Sequence, residues 1–353
     1  MHTPNEPENL KIIPTEISKK KPFFAIQAPL RAYLKNYSRD IKTATTYKDL
    51  THFSYSSPLV DKNQHDTLWE TVSYNETDRQ DIYPALTAIY ATLRAAGNTA
   101  VMQHLSVDRV DYCTFGNSNP FRVKIVNNLN DNYDYFYVKR ADASRIYGLE
   151  LEHILSPNRI HYFEYNDTLI EEHVAGIPGD QFIKTKLNEP DANATRIAKE
   201  FVKFNERCFV KLLGDMRAYN FVLDITPDFE DTQYRIRAID FDQQCYEGKK
   251  NVYLPQFFKE NYPFVQLCSK LLPQQTIQQY QSEERALIAS RIKSSYHRLN
   301  DLLQVMRTDY ISTENKIFTL KNQLAEHYQQ PAFLTCNTMG EIVKTSLEIV
   351  SKN

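Results

Sequence analysis

Hydrophobic positions recur with two different periods along this chain, and the switch between them sets the expected order of elements. Ile82, Leu86, Ile89 and Leu93 stand four, three and four residues apart, the spacing of one buried helical face, and predict a helix over 82–96. Gly97-Asn98 follows as a helix stop. The whole stretch 23–104 reads as a mostly helical N-terminal extension. Before it, residues 1–22 form a polar, flexible lead ending in the solvated triplet Lys19-Lys20-Lys21. The period then changes to two. Residues 107–127 and 133–139 alternate and are rich in Val, Ile, Tyr and Phe, which predicts three strands in a meander with asparagine-rich turns. A helix follows over 143–155, ended by Ser156-Pro157-Asn158, then two strands, 160–164 and 168–174, joined at Tyr165-Asn166-Asp167.

Helical spacing returns after Gly179. Residues 192–212 carry Ile197, Phe201, Phe204, Cys208 and Leu212 on one stripe, and 276–351 reads as three helices without a strand. Two strand-like segments, 220–225 and 234–239, interrupt this half. The expectation is an α+β protein: a small antiparallel-sheet lobe with one inserted helix over 105–174, a larger helical lobe over 175–353, and the N-terminal extension.

Composition narrows the chemistry. The chain has 353 residues, 42 basic and 44 acidic side chains, and a net charge of −2. That balance argues against a polyphosphate-binding surface spread over the whole protein, leaving a local patch open, and no nucleic-acid partner is expected. Only 8 glycines are present, and none of their spacings makes a dinucleotide-binding, P-loop or nucleophile-elbow motif. The five cysteines are scattered without a C-x-x-C pair, which reads as reduced thiols in a reducing compartment. No apolar run approaches the ~18 residues of a membrane span, so a cytoplasmic location is the expectation.

Four separated segments ask for one explanation. The strand Tyr135-Phe136-Tyr137-Val138-Lys139 ends on a lysine, and the helix after it carries Glu150 and Glu152. Gly214-Asp215 leads to Asn220, and a later strand ends in Ile239-Asp240-Phe241-Asp242. Phosphoryl transfer from ATP needs such parts: a lysine on the phosphates, a carboxylate orienting it, an Asp to position the acceptor's proton, and an Asn and a second Asp to hold magnesium. Asp-x-x-x-x-Asn sets base and metal ligand at the two ends of one tight loop. Glu150 shares a helical stripe with Ile146, Tyr147 and Ile154 and so faces inward, whereas Glu152 falls on the solvent side; Glu150 is the preferred partner of Lys139. Strand parity puts Asp240 on the face of Ile236 and Ala238, away from Arg235 and Arg237, where a carboxylate needs a metal or a basic partner. Asp242 reads as a surface carboxylate, with a further metal ligand as the alternative.

In these segments the chain resembles the protein-kinase-like fold, nearest to its aminoglycoside phosphotransferase and choline kinase branch. That branch carries Gly-Asp-x-x-x-x-Asn, a strand, and Ile-Asp followed by an aromatic residue. The resemblance covers about residues 107–270. It implies an ATP- and Mg2+-dependent phosphotransferase acting on a small molecule or a protein. Asp215 would be the base, Lys139 with Glu150 the phosphate-holding pair, and Asn220 with Asp240 the metal ligands. It further implies nucleotide contacts from Gly116 and Ser118 in a phosphate-covering loop, and from Glu172 and Val174 at the hinge between lobes. The chain departs from the branch in having one glycine in that loop, Leu213 where a histidine usually precedes the aspartate, and Arg217 two residues after it. The competing expectations are a pseudokinase scaffold, or an interaction protein in which these residues coincide by chance.

Overall fold

The computed structural model describes residues 21–61, 64–95, 99–114, 118–228 and 232–352. Seven strands, β1 (Tyr55–Val60), β2 (Asp66–Ser73), β3 (Leu105–Cys113), β4 (Phe121–Asn127), β5 (Tyr133–Arg140), β6 (Tyr162–Tyr165) and β7 (Thr168–Glu172), form one sheet. Their order is β1-β2-β3-β4-β5-β7-β6, with every neighbouring pair antiparallel. A smaller sheet holds β8 (Ile177–Pro178), β9 (Phe221–Thr226) and β10 (Gln233–Ala238), in the order β10-β9-β8.

Helices α1 (Ala28–Asn36), α2 (Tyr47–Leu50) and α3 (Glu76–Ala95) belong to the N-terminal hundred residues, and α4 (Ala143–Leu155) is inserted between β5 and β6. The C-terminal half contributes α5 (Gly179–Thr185), α6 (Ala194–Lys211), α7 (Tyr262–Leu271), α8 (Gln274–Ser294), α9 (Tyr296–Thr308), α10 (Glu314–Tyr328) and α11 (Met339–Lys352). The chain is therefore α+β, with an antiparallel sheet and a helical C-terminal region. Four helices, not three, follow residue 273.

The mostly helical reading of 23–104 holds for α1, α2 and α3 but misses two strands. That stretch contains β1 and β2, which extend the sheet beyond β3. Of β1 and β2 only Val72 is buried, so the apolar/polar alternation that marks a strand is nearly absent from their sequence. Pro58 lies in β1, an edge strand, the place where a sheet tolerates proline.

The two faces of the large sheet serve different cores. Ile82, Leu86, Ile89 and Leu93 of α3 pack on Val107, Val110, Val123, Ile125, Phe136, Val138 and Ile170. Each fully buried side chain of this kind contributes roughly 1.5–3 kcal/mol. Side chains alternate along a strand, so the neighbours of Phe136, Val138 and Ile170 turn to the opposite face. There Leu169 joins a second core with Ile146, Leu149 and Ile154 of α4 and the buried faces of α6, α9 and α11. Helix α4 is thus wedged between the sheet and the C-terminal helices. Helix α6 ends at Leu212, whose left-handed backbone (φ 55°) turns its N–H onto the carbonyls of Cys208 and Phe209. That turn delivers Gly214-Asp215 to the end of the small sheet.

Candidate functional site

Lys139 and Glu171 meet because of strand register. Lys139 on β5 faces Leu169 on β7, so Glu171, two residues on, is its diagonal neighbour on the same face. Its Nζ donates to Glu171 Oε2 at 2.5 Å, and Lys139 is only 6 % exposed. The expected partner lies elsewhere. Glu150 accepts hydrogen bonds from Tyr33 and Tyr162 hydroxyls at 2.5 Å and from the guanidiniums of Arg39 and Arg298. It faces inward as its helical stripe requires, but towards α1 and α9 and away from β5. Glu152 is no solvent-side residue either: it is buried and ion-paired with Lys211.

The residue of α4 that does reach the lysine's neighbourhood is Arg145. Its Nη1 donates to Glu171 at 3.3 Å, its Nη2 to Asp240 at 3.0 Å and its Nε to Asp242 at 2.8 Å. Gly148, one turn further on, permits this approach. A Cβ there would stand 3.0 Å from the Cβ of Phe241, tighter than ordinary packing. Asp242, expected at the surface, is 8 % exposed and held by Arg145. Asp240 keeps 36 % of its side chain exposed, and Oδ1 alone is engaged, by Arg145 and by the Asp242 N–H. Desolvation and then the Asp242 carboxylate push Asp240 above the usual carboxylate range. Asp242 is desolvated too, but Arg145, Lys139 and Lys21 outweigh that and hold it below. Lys139 lowers both carboxylates, so the lysine and the two aspartates share one field.

Asn220 and Asp240 are adjacent by construction of the small sheet. Phe221 pairs with Ala238, and Ile239 N donates to Asn220 O at 3.0 Å, which sets Asp240 one residue past that bond. The Asn220 amide is oriented by its Nδ2, which donates to the Asp215 carbonyl at 2.7 Å, so its Oδ1 is turned outward from that bond. Asp215 itself has a left-handed backbone, φ 58°, pinned by its N–H on Val252 O. Its carboxylate accepts from Arg217 Nε at 2.8 Å, and Arg217 also donates to Glu260 at 2.9 Å. Desolvation raises the Asp215 carboxyl above its usual range despite Arg217.

The lead does not stay solvated where it is described. Lys21 Nζ donates to Asp142 Oδ1 at 2.6 Å and Phe24 N–H to Asp142 Oδ2 at 2.8 Å, while Asp142 also caps α4. Ser118, Lys21, Phe23, Arg140, Asp142 and Asp242 border one cavity of about 220 Å³. Gly116, Lys19 and Lys20 lie outside the described residues. Glu172 points its side chain to the other sheet face, where Arg94 and the His161 N–H bind it, and its own N–H donates to His161 O. Val174 is buried in the core around α4.

One cluster of ion pairs therefore gathers Lys139, Arg145, Glu171, Asp240 and Asp242, with Asn220 beside Asp240, Asp215 bonded to Asn220, and Glu150 apart. Among the described residues no group of three or more His, Cys, Asp or Glu converges as a metal site. The available oxygens, Asn220 Oδ1 and Asp240 Oδ2, are hard donors of the kind Mg2+ takes when phosphate and water complete its shell. No helix among the described residues is long and apolar enough to cross a membrane. No protein-family model matches this chain, and no curated protein matches it either.

Proposed function

We propose that the chain is an ATP- and Mg2+-dependent phosphotransferase with a bilobal, protein-kinase-like arrangement. The observation that carries this reading is the placement of Asn220 beside Asp240, within the field of Lys139 and next to Asp215. The strand order β3-β4-β5-β7-β6 with α4 inserted after the lysine strand supports the same arrangement. ATP would supply the phosphoryl group, and Mg2+ would neutralise charge on its oxygens. Lys139 holds a positive charge at the cleft, oriented by Glu171 in the role first expected of Glu150. Asn220 Oδ1 and Asp240 Oδ2 offer the two protein oxygens. Asp215, with its raised proton affinity, takes or positions the acceptor hydroxyl's proton. The acceptor is a small molecule or a protein.

Arg145 favours a second reading. It already neutralises Asp240 and Asp242 as an internal cation, as a pseudokinase scaffold without metal would require. Calorimetric titration with Mg·ATP, followed by an ADP-formation assay, separates the two. The phosphotransferase predicts that Asp215→Asn still binds nucleotide but loses turnover by about 10²–10⁴-fold. Nucleotide binding by the unaltered chain with no ADP formed favours the scaffold, and absence of any nucleotide binding sinks the first reading.

A further inference from the structure

At the far end of α4 from Arg145, roughly 12 Å along the helix, a second cavity opens between the α4 C-terminus and the α8–α9 junction. Its volume is about 750 Å³, within the range of small-molecule sites. His153, Arg159, Arg291, Lys293, His297 and Arg298 border it, and no Asp or Glu does. In a chain of net charge −2 this is a strong local excess of positive charge.

The cations are not there for one another's carboxylates. Arg159, Arg291 and Lys293 make no ion pair among the described residues, while Arg298 and Arg39 share the single carboxylate of Glu150. Two buried polar atoms of residues bordering this site, Arg291 Nη1 and His153 Nδ1, have no hydrogen-bond partner among the described residues. Leaving a buried guanidinium N–H and a buried ring nitrogen without partners costs free energy. Burial first, then Arg39, Arg298 and Arg159 against the opposing Glu150 carboxylate, push the His153 imidazole down to about 4. The uncapped N-terminus of α9 adds backbone N–H groups from the same side.

We propose that this cavity binds a small molecule carrying two or more phosphate groups. Guanidinium groups take phosphate oxygens in pairs, and an ammonium adds a point charge beside them. A single inorganic phosphate would leave most of the volume unfilled. The ligand comes either free in solution or as the headgroup of a phosphorylated lipid.

Calorimetry on the full chain with pyrophosphate and with inositol hexakisphosphate tests this at physiological salt. One saturable site is expected, weakened about tenfold or more in an Arg291→Ser/Lys293→Ser variant. Arg159→Ser, at an exposed position, should weaken it as well. Unliganded thermal unfolding of each variant shows whether it remains folded. Asp215→Asn should leave this binding unchanged, which separates the cavity from the proposed phosphotransfer site. Co-sedimentation with vesicles containing phosphatidylinositol bisphosphate, against vesicles without it, distinguishes the lipid source from the free one. No binding of either soluble probe at about 1 mM together with no lipid-dependent sedimentation overturns the proposal, as does equal affinity in the double variant.

Discussion

Glu150 shows how far a single residue can be read from sequence. Its place on the Ile146–Tyr147–Ile154 stripe correctly implies burial, because helical spacing determines a side chain's direction. The stripe says nothing about what waits there, and the partners come from β6 and from α1 and α9, the last two more than a hundred residues away in sequence. Glu171, the lysine's actual partner, follows from β5–β7 register, and Arg145 from the approach of α4 to the 240–242 segment. Neither is a local property. Desolvation works to raise the Glu150 carboxyl, but Arg298, Arg39 and two tyrosine hydroxyls outweigh it and hold it below its usual range. A lowered folded-state value contributes stability above the unfolded value, about 4.3, and that stability is lost as pH falls through the folded one. Glu150→Gln should therefore cost about 3–5 kcal/mol at neutral pH by urea denaturation, since two guanidiniums lose the one carboxylate they pair with among the described residues. Its unfolding midpoint should also decline less steeply below about pH 4 than that of the unaltered chain. A loss confined to nucleotide affinity, with stability intact, would instead return Glu150 to the cleft chemistry.

Elements with strong periodicity were legible almost to the residue. Helix α4 spans Ala143–Leu155, matching the stretch its pattern predicts, and α6 and β3–β7 fall within a few residues of theirs. The strands that escaped, β1, β2 and the two-residue β8, have little or no buried face to print a pattern on. Lys21, expected in a solvated triplet, is held for a related reason: a polar stretch describes free chain, yet Asp142 offers three separate acceptor contacts, to Lys21 Nζ, Phe24 N–H and Arg145 N–H. Asp142→Ala should remove the α4 cap, worth about 1 kcal/mol, and detach residues 21–24. Hydrogen exchange at the Phe24 amide then speeds up while the α6 amides stay protected. Unchanged exchange at Phe24 would mean that the Ala143 N–H bond to Phe24 O and the Phe24–Tyr246 contact hold the segment without Asp142.

Over the whole molecule, charge is nearly balanced but unevenly distributed, and the cleft illustrates the consequence. Asp142, Glu171, Asp240 and Asp242 pair with Lys21, Lys139 and Arg145, so within this ion-pair network four acidic groups meet three basic ones and a single negative charge is left over. A nucleotide triphosphate brought alone into that field adds repulsion, which at about 10 Å and an effective dielectric of about 20 is ~1.7 kcal/mol per pair of unit charges. A divalent cation between Asn220 and Asp240 reverses the sign of the excess before the phosphates arrive. The affinity of ATP should therefore fall by about tenfold or more when Mg2+ is replaced by a chelator. Arg145→Gln removes one positive charge and deepens the negative excess, so it should make that dependence on Mg2+ steeper. Calorimetry of both chains with and without the metal reads this out. Equal ATP affinity under the two conditions would remove the metal from the proposed site and leave Arg145 as the cation that the two aspartates were built around.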